Sequence, residues 1–95
     1  GTFNFKNYTY TNYCFLNPYG YLNVEVSATT GNKKDTSYTV ALYKKTKNTF
    51  LDGIDVNYGE KVHILFPSID ANEKYYIKLT KGDTGTYAKG TIFLS

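Results

Sequence analysis

Apolar and polar residues alternate with a period of two in run after run of this chain: Leu22, Val24, Val26 and Ala28; Tyr38, Val40 and Leu42; Val62, Ile64 and Phe66; Tyr75, Ile77 and Leu79. On a pleated strand such alternation sends one set of side chains to each face, so every run reads as a half-buried strand. Several such strands in a short chain need either a second sheet or closure of the first to cover their apolar faces. The pattern predicts an all-β fold, an antiparallel β-sandwich of about seven to eight strands.

The runs have legible ends. Thr2 to Thr11 carries Phe3 and Phe5, then shifts to Tyr8 and Tyr10, which predicts a first strand with a bulge or break near Lys6 and Asn7. Asn17-Pro18-Tyr19-Gly20 reads as a turn, because proline presets the backbone and glycine permits positive φ. Strands follow at Tyr21 to Thr29 and Ser37 to Lys45, joined by a polar stretch from Gly31 to Asp35. Thr49 to Leu51 reads as a short strand closed by Asp52-Gly53, and Tyr58-Gly59 precedes another at Glu60 to Phe66. After a turn from Pro67 to Asn72, Lys74 to Lys81 is the most regular strand. Gly82-Asp83-Thr84-Gly85 leads to the last, Thr86 to Leu94. No helix is required. The chain shows no internal repeat, linker or domain boundary, so residues 1–95 read as a single domain.

Composition sharpens this picture. At 95 residues a domain buries roughly two thirds of the surface of its unfolded chain. Eleven Tyr and six Phe, without Trp or Met, make the core aromatic and β-prone. No run approaches the roughly 20 apolar residues that cross a bilayer as a helix, and no basic-then-apolar leader opens the chain. The eleven cationic side chains are all Lys, giving a net charge of +3. Without Arg, bidentate reading of guanine and phosphate is disfavoured, so nucleic acid is not an expected partner. A mild Lys excess suits an anionic cell surface. The abundance of Asn, Lys, Tyr, Phe and Ile follows AT-rich codons and points to a low-GC bacterium. A lone Cys14 excludes an intrachain disulfide, which fits either the cytoplasm or a Gram-positive exterior; the expected location is secreted, from a Gram-positive bacterium.

Candidate chemistry is sparse. Cys14, between Tyr13 and Phe15, reads as a small buried hydrophobe; as a nucleophile it would need a base, for which the chain offers one histidine, His63. His63 alternates away from Val62 and Ile64, which places it on the outer face of its strand. Asp52, Asp55, Asp70 and Asp83 fall in turns, where such side chains bond to their own backbone. Asp35, Asp52 and Asp55 have no recognised calcium-ligand spacing, so no cofactor is expected, calcium being the minor alternative. The Asn7-Tyr8-Thr9 sequon matters only in a secreted eukaryotic chain.

The order of motifs from Thr2 to Leu94 carries a resemblance. An aromatic first strand leads to Asn17-Pro18-x-Gly20-x-Leu22-x-Val24-x-Val26, then Tyr38-x-Val40-x-Leu42-Tyr43, then a strand ending in Phe66. Lys74-Tyr75-Tyr76-Ile77-Lys78-Leu79 and Gly85-Thr86-Tyr87 complete the series. This order resembles the bacterial pre-peptidase C-terminal domains and the related collagen-binding-like domains of secreted proteases. The resemblance implies a jelly-roll-like sandwich acting as an extracellular accessory module. The chain departs from the family pattern in having Asn72-Glu73 where a glycine usually precedes the Tyr-Tyr strand. Its first acidic residue is Glu25, so the calcium-binding acidic cluster near the family's N-terminus has no counterpart.

The two faces of the strands give a map. With Tyr38, Val40, Leu42 and Tyr75, Ile77, Leu79 inward, Tyr43, Tyr76 and Lys78 point outward, as does Tyr21 on its own strand. Tyr21, Tyr43, Tyr76, Lys45 and Lys78 are therefore the candidate ligand-binding residues, because a tyrosine ring offers both an apolar face and a hydroxyl. Tyr8, Tyr10, Tyr13 and Tyr19, with Tyr58 in a loop, form a second aromatic group that either closes one end of the core or makes an exposed patch. The expected function is a non-catalytic secreted bacterial module attaching to a polysaccharide, cell-surface or extracellular protein ligand. The alternative is a free-standing small secreted effector, an antimicrobial protein or an enzyme inhibitor. An enzyme would need acid and base groups to converge, and no such arrangement is visible in the sequence.

Overall fold

A computed structural model describes residues 1–11, 15–16, 20–31, 34–67, 69–70, 72–82 and 85–95. They form β1 (Thr2–Phe5), β2 (Tyr8–Tyr10), β3 (Phe15–Leu16), β4 (Tyr21–Thr30), β5 (Ser37–Lys44), a 3-10 turn (Thr46–Asn48), β6 (Thr49–Asn57), β7 (Val62–Pro67), β8 (Lys74–Thr80) and β9 (Ala88–Leu94). One sheet has the order β1-β9-β4-β7 and the other β2-β8-β5-β6, with β3 added against β8. The antiparallel pairs nest: β1 with β9, β2 with β8, β4 with β7, and β5 with β6. One long hairpin folded over itself in this way is the jelly-roll form of β-sandwich.

The alternation accounts for the core. Leu22, Val24, Val26 and Ala28 of β4 share one buried cluster with Tyr38, Val40 and Leu42 of β5, Ile64 and Phe66 of β7, and Tyr75, Ile77 and Leu79 of β8. Each fully buried Val, Leu or Ile contributes about 1.5–3 kcal/mol, and a one-residue slip would expose a whole set. His63 lies outward and exposed, as its position in the alternation requires.

The break expected at Lys6 and Asn7 proves larger than a bulge: β1 belongs to the first sheet and β2 to the second, so the chain changes sheet there. Lys81 fastens this corner. Its backbone N–H donates to the Asn7 carbonyl (2.9 Å). Its ammonium donates to the carbonyls of Lys6 (3.3 Å), Gly82 (2.9 Å) and Thr86 (3.0 Å) and lies 3.3 Å from Asp35 Oδ2. That carboxylate oxygen also accepts the hydroxyls of Thr30 (3.1 Å) and Thr86 (3.2 Å). The Lys81 and Asp35 side chains are only 1% and 6% exposed. Charges are tolerated at such depth when paired and hydrogen-bonded in this manner. The knot ties together the β1–β2 crossover, the β4–β5 connection and the β8–β9 connection, closing one end of the sandwich.

β6 departs from the sequence expectation. The predicted short strand at Thr49 to Leu51 runs on to Asn57, and Asp52-Gly53 lies inside it. Its register with β5 shifts between Leu42 and Tyr43, where Leu51 is the extra residue of a bulge. The bulge breaks the alternation, and β6 is a sheet edge on which Val56 is the buried position, so the inward-outward contrast is weak. The bulge together with Asp52 and Asp55 blunts this edge against further strand pairing. Gly20 takes φ 79°, a conformation open to glycine. Tyr13, Cys14, Asn17, Pro18, Tyr19 and Asp83 lie outside the described residues.

Tyr58 packs against the core, its ring 5.0 Å from that of Tyr38. The hydroxyls of both are buried and find no hydrogen-bond partner among the described residues. Burial, and secondarily the neighbouring Tyr58, pushes the Tyr38 phenol up to about 12. A buried hydroxyl without a partner costs about 1–3 kcal/mol. Tyr38→Phe is therefore expected to raise stability at neutral pH by about 1 kcal/mol in urea unfolding. The folded state keeps a proton that the unfolded chain releases near pH 10, so wild-type stability falls as pH rises from 10 toward 12. The variant should lose less over that window; a lower urea midpoint for Tyr38→Phe at neutral pH would contradict this account.

Candidate functional site

The outer face of the second sheet carries a connected set of aromatic rings. Register fixes who stands beside whom: Tyr10 pairs with Lys78, Lys78 with Ala41, and Tyr43 with both Tyr76 and Phe50. Tyr8 and Tyr10 are two apart on β2, so they share a face and meet at 5.6 Å in edge-to-face geometry. From Tyr10 the file turns across the strands to Tyr76 (5.6 Å, 65°), to Tyr43 (5.3 Å, stacked at 13°) and to Phe50 (5.6 Å, 73°). The rings form an L, one arm along β2 and the other crossing β8, β5 and β6.

Lys78 occupies the inner corner of the L. Its ammonium lies 5.2 Å from the ring centre of Tyr8, 5.6 Å from Tyr10 and 6.0 Å from Tyr43, all within cation–π reach. Two further contacts set the rings in place. The Tyr76 hydroxyl donates to Asn48 Oδ1 at 3.1 Å, and Asn48 belongs to the β5–β6 turn, where it and Lys47 adopt positive φ (48° and 58°). Asn adopts that region more readily than Lys, and Thr46 tethers the turn by donating to Glu73 Oε2 (3.1 Å). At the far end the Phe50 ring lies against Gly53, where an added Cβ would come within 3.3 Å of it. The missing side chain lets the ring lie down on the edge strand.

Aromatic pairs of this kind stiffen a sheet by about 0.5–1.5 kcal/mol each. Stiffening alone does not account for the exposure. Tyr8 and Phe50 are each 56% exposed and Tyr10 46%, although rings that serve packing are normally covered. Tyr76, by contrast, is 9% exposed: it points outward but is roofed by Tyr10 and Tyr43.

The residues predicted from the sequence divide accordingly. Tyr43, Tyr76 and Lys78 come together. Tyr21 stands on β4 in the first sheet, away from them. Lys45 is exposed at the start of the 3-10 turn, its backbone N–H donating to the Lys74 carbonyl (2.8 Å). Tyr8 and Tyr10, left undecided by the sequence, prove to be two of the three exposed rings of the L. Phe50 escaped notice because the bulge at Leu51 hides its parity.

The first sheet's outer face is different. Its exposed Leu65 and Phe93 are interleaved with Glu25, which pairs across the strands with both His63 and Phe93. Glu25 accepts from Lys61 at 2.7 Å and lies 3.8 Å from His63 Nε2. The Lys61 hydrogen bond holds its carboxyl below the ordinary value.

Other carboxylates have local partners. Asp55 accepts the Thr39 hydroxyl (2.7 Å), Asp52 its neighbour's Gly53 N–H (2.8 Å), and Asp70 the Asn72 N–H (2.9 Å). Among the described residues no three His, Cys, Asp or Glu side chains come together to hold a metal ion. No helix among them is long and apolar enough to cross a membrane. The jelly roll with an open aromatic face is thus the class that fold and site define. Comparison with known proteins returns no match to a family model, a curated sequence or a solved structure.

Proposed function

We propose that the chain is a non-catalytic binding module of a secreted bacterial protein, and that it holds a polysaccharide across the aromatic face of the second sheet. The observation that carries this is the L of Tyr8, Tyr10, Tyr76, Tyr43 and Phe50, whose outer members remain half exposed. The apolar C–H face of a sugar ring lies well on such rings, while the tyrosine hydroxyls answer the sugar's own. A narrow file of rings suits an extended chain better than a broad protein interface, whose core is a wide, closely packed patch. The local engagement of Asp35, Asp52, Asp55, Asp70 and Glu25 supports a role without acid–base chemistry. The motif order, which resembles that of accessory modules of secreted proteases, and the all-Lys positive charge support the location.

Affinity electrophoresis through gels containing soluble polysaccharides and cell-wall fragments tests this reading. The wild type should be retarded by at least one of them. Joint replacement of Tyr8, Tyr10 and Phe50 by Ala should remove the retardation, a loss of at least tenfold at about 1.4 kcal/mol per factor of ten; because three ring pairs go with these side chains, at about 0.5–1.5 kcal/mol each, circular dichroism checks that the variant is folded at the temperature of the gel. Tyr76 is a poor choice for this test, since its burial and its bond to Asn48 mix folding with binding. Unchanged retardation of the triple variant would refute the proposal.

A further inference from the structure

We infer that the polysaccharide is an acidic one and that Lys78 is the anchor for its carboxylate; this rests on the reading of the aromatic face as a binding surface. Lys78 differs from the other cations whose partners are known. Lys61 is paired with Glu25, and Lys81 with Asp35. Three ring faces stand around the Lys78 ammonium, at 5.2, 5.6 and 6.0 Å, and no carboxylate among the described residues pairs with it.

Ring faces attract a cation but accept none of its hydrogen bonds in full, so the three ammonium N–H groups remain available to an oxyanion. The rings also shield the charge from water on their side, which strengthens an ion pair formed there relative to one on an open surface. Lys78 is at the corner of the L, flanked by Tyr8 and Tyr10 on one arm and Tyr43 on the other. A carboxylate bound there has rings on both sides for the sugar units that precede and follow it. The +3 net charge favours approach of a polyanion as a whole.

Three polyuronates serve as probes: polygalacturonate, alginate and hyaluronate, each with its methyl-esterified form, which keeps the sugars and removes the charge. Poly-L-glutamate supplies charge without sugars. Binding is followed by titration calorimetry. The wild type is expected to bind at least one polyuronate about tenfold more tightly than its ester, the size of one charge-assisted hydrogen bond, and more tightly than poly-L-glutamate. Lys78→Gln, at an exposed-face position, should fold normally by thermal denaturation and bind acid and ester alike, at the ester's affinity. Equal wild-type affinity for acid and ester would overturn the inference, as would a preference that survives in Lys78→Gln. Poly-L-glutamate bound as tightly as the polyuronate would also overturn it, in favour of an acidic protein partner. Retention by neutral polysaccharides alone, lost on replacing Tyr8, Tyr10 and Phe50, would overturn the acid anchor while leaving the aromatic face as the binding surface.

Discussion

Lys81→Met should lower the unfolding free energy by about 3–5 kcal/mol, the cost of leaving one member of a buried ion pair without the other. The loss has two parts. Asp35, 6% exposed, would keep its charge without the ammonium that answers it, and the carbonyls of Lys6, Gly82 and Thr86 would lose their shared donor. Because these groups belong to three separate connections, the change should loosen the end of the sandwich where the chain passes from the first sheet to the second. Urea unfolding of a double-mutant cycle checks this. Lys81→Met combined with Asp35→Leu removes both charges, so it should cost clearly less than the sum of the two single changes. Additive losses would mean that the two side chains act independently, against the geometry.

The second large effect is expected at Gly90. It lies in β9 at the middle of the first sheet, pairing with Ala28 of β4 and Phe3 of β1. An added Cβ would collide with the Ser27 backbone carbonyl oxygen, and would lie 2.8 Å from Ala28 Cα and 2.9 Å from the end of the Phe3 ring. The ring could turn aside, but the β4 backbone cannot retreat without breaking its ladder with β9. Gly90→Ala should therefore cost about 4 kcal/mol or more, a large part of the roughly 5–15 kcal/mol that holds a domain of this kind together. Gly31→Ala is the control, since a Cβ there meets nothing within 4 Å; it should stay within about 0.5 kcal/mol of the wild type. A Gly90→Ala protein as stable as the Gly31→Ala control would show that the close approach of β4 and β9 is not as described.

The sandwich was legible because its inner residues obey a strict alternation. Leu22 through Ala28, Tyr38 through Leu42 and Tyr75 through Leu79 are buried as their spacing requires. The less legible features are those in which tertiary contacts override local pattern. Lys81 continues the inward series of Tyr75, Ile77 and Leu79, but a lysine at a strand end reads as solvated unless Asp35, 46 positions earlier in sequence, is known to lie beside it. β6 loses its alternation at Leu51, so Phe50 is placed on the outer face only once the register with Tyr43 is seen. Tyr21 has the same outward parity as Tyr43, and parity cannot tell one sheet from the other. Tyr8 and Tyr10 join Tyr76 and Tyr43 because the chain changes sheet at Lys6 and Asn7, a topological fact with only a faint local trace.

If ligand binding belongs to one face of the sandwich, a single affinity electrophoresis experiment that compares both faces will separate them. Two triple-alanine variants differ only in sheet: Tyr8, Tyr10 and Phe50 on the second, and Tyr21, Leu65 and Phe93 on the first, with similar exposure in both sets. The account predicts that the second-sheet variant migrates freely through a polysaccharide that retards the wild type, while the first-sheet variant is retarded as the wild type is. Retardation lost in the first-sheet variant and kept in the second-sheet variant would contradict it.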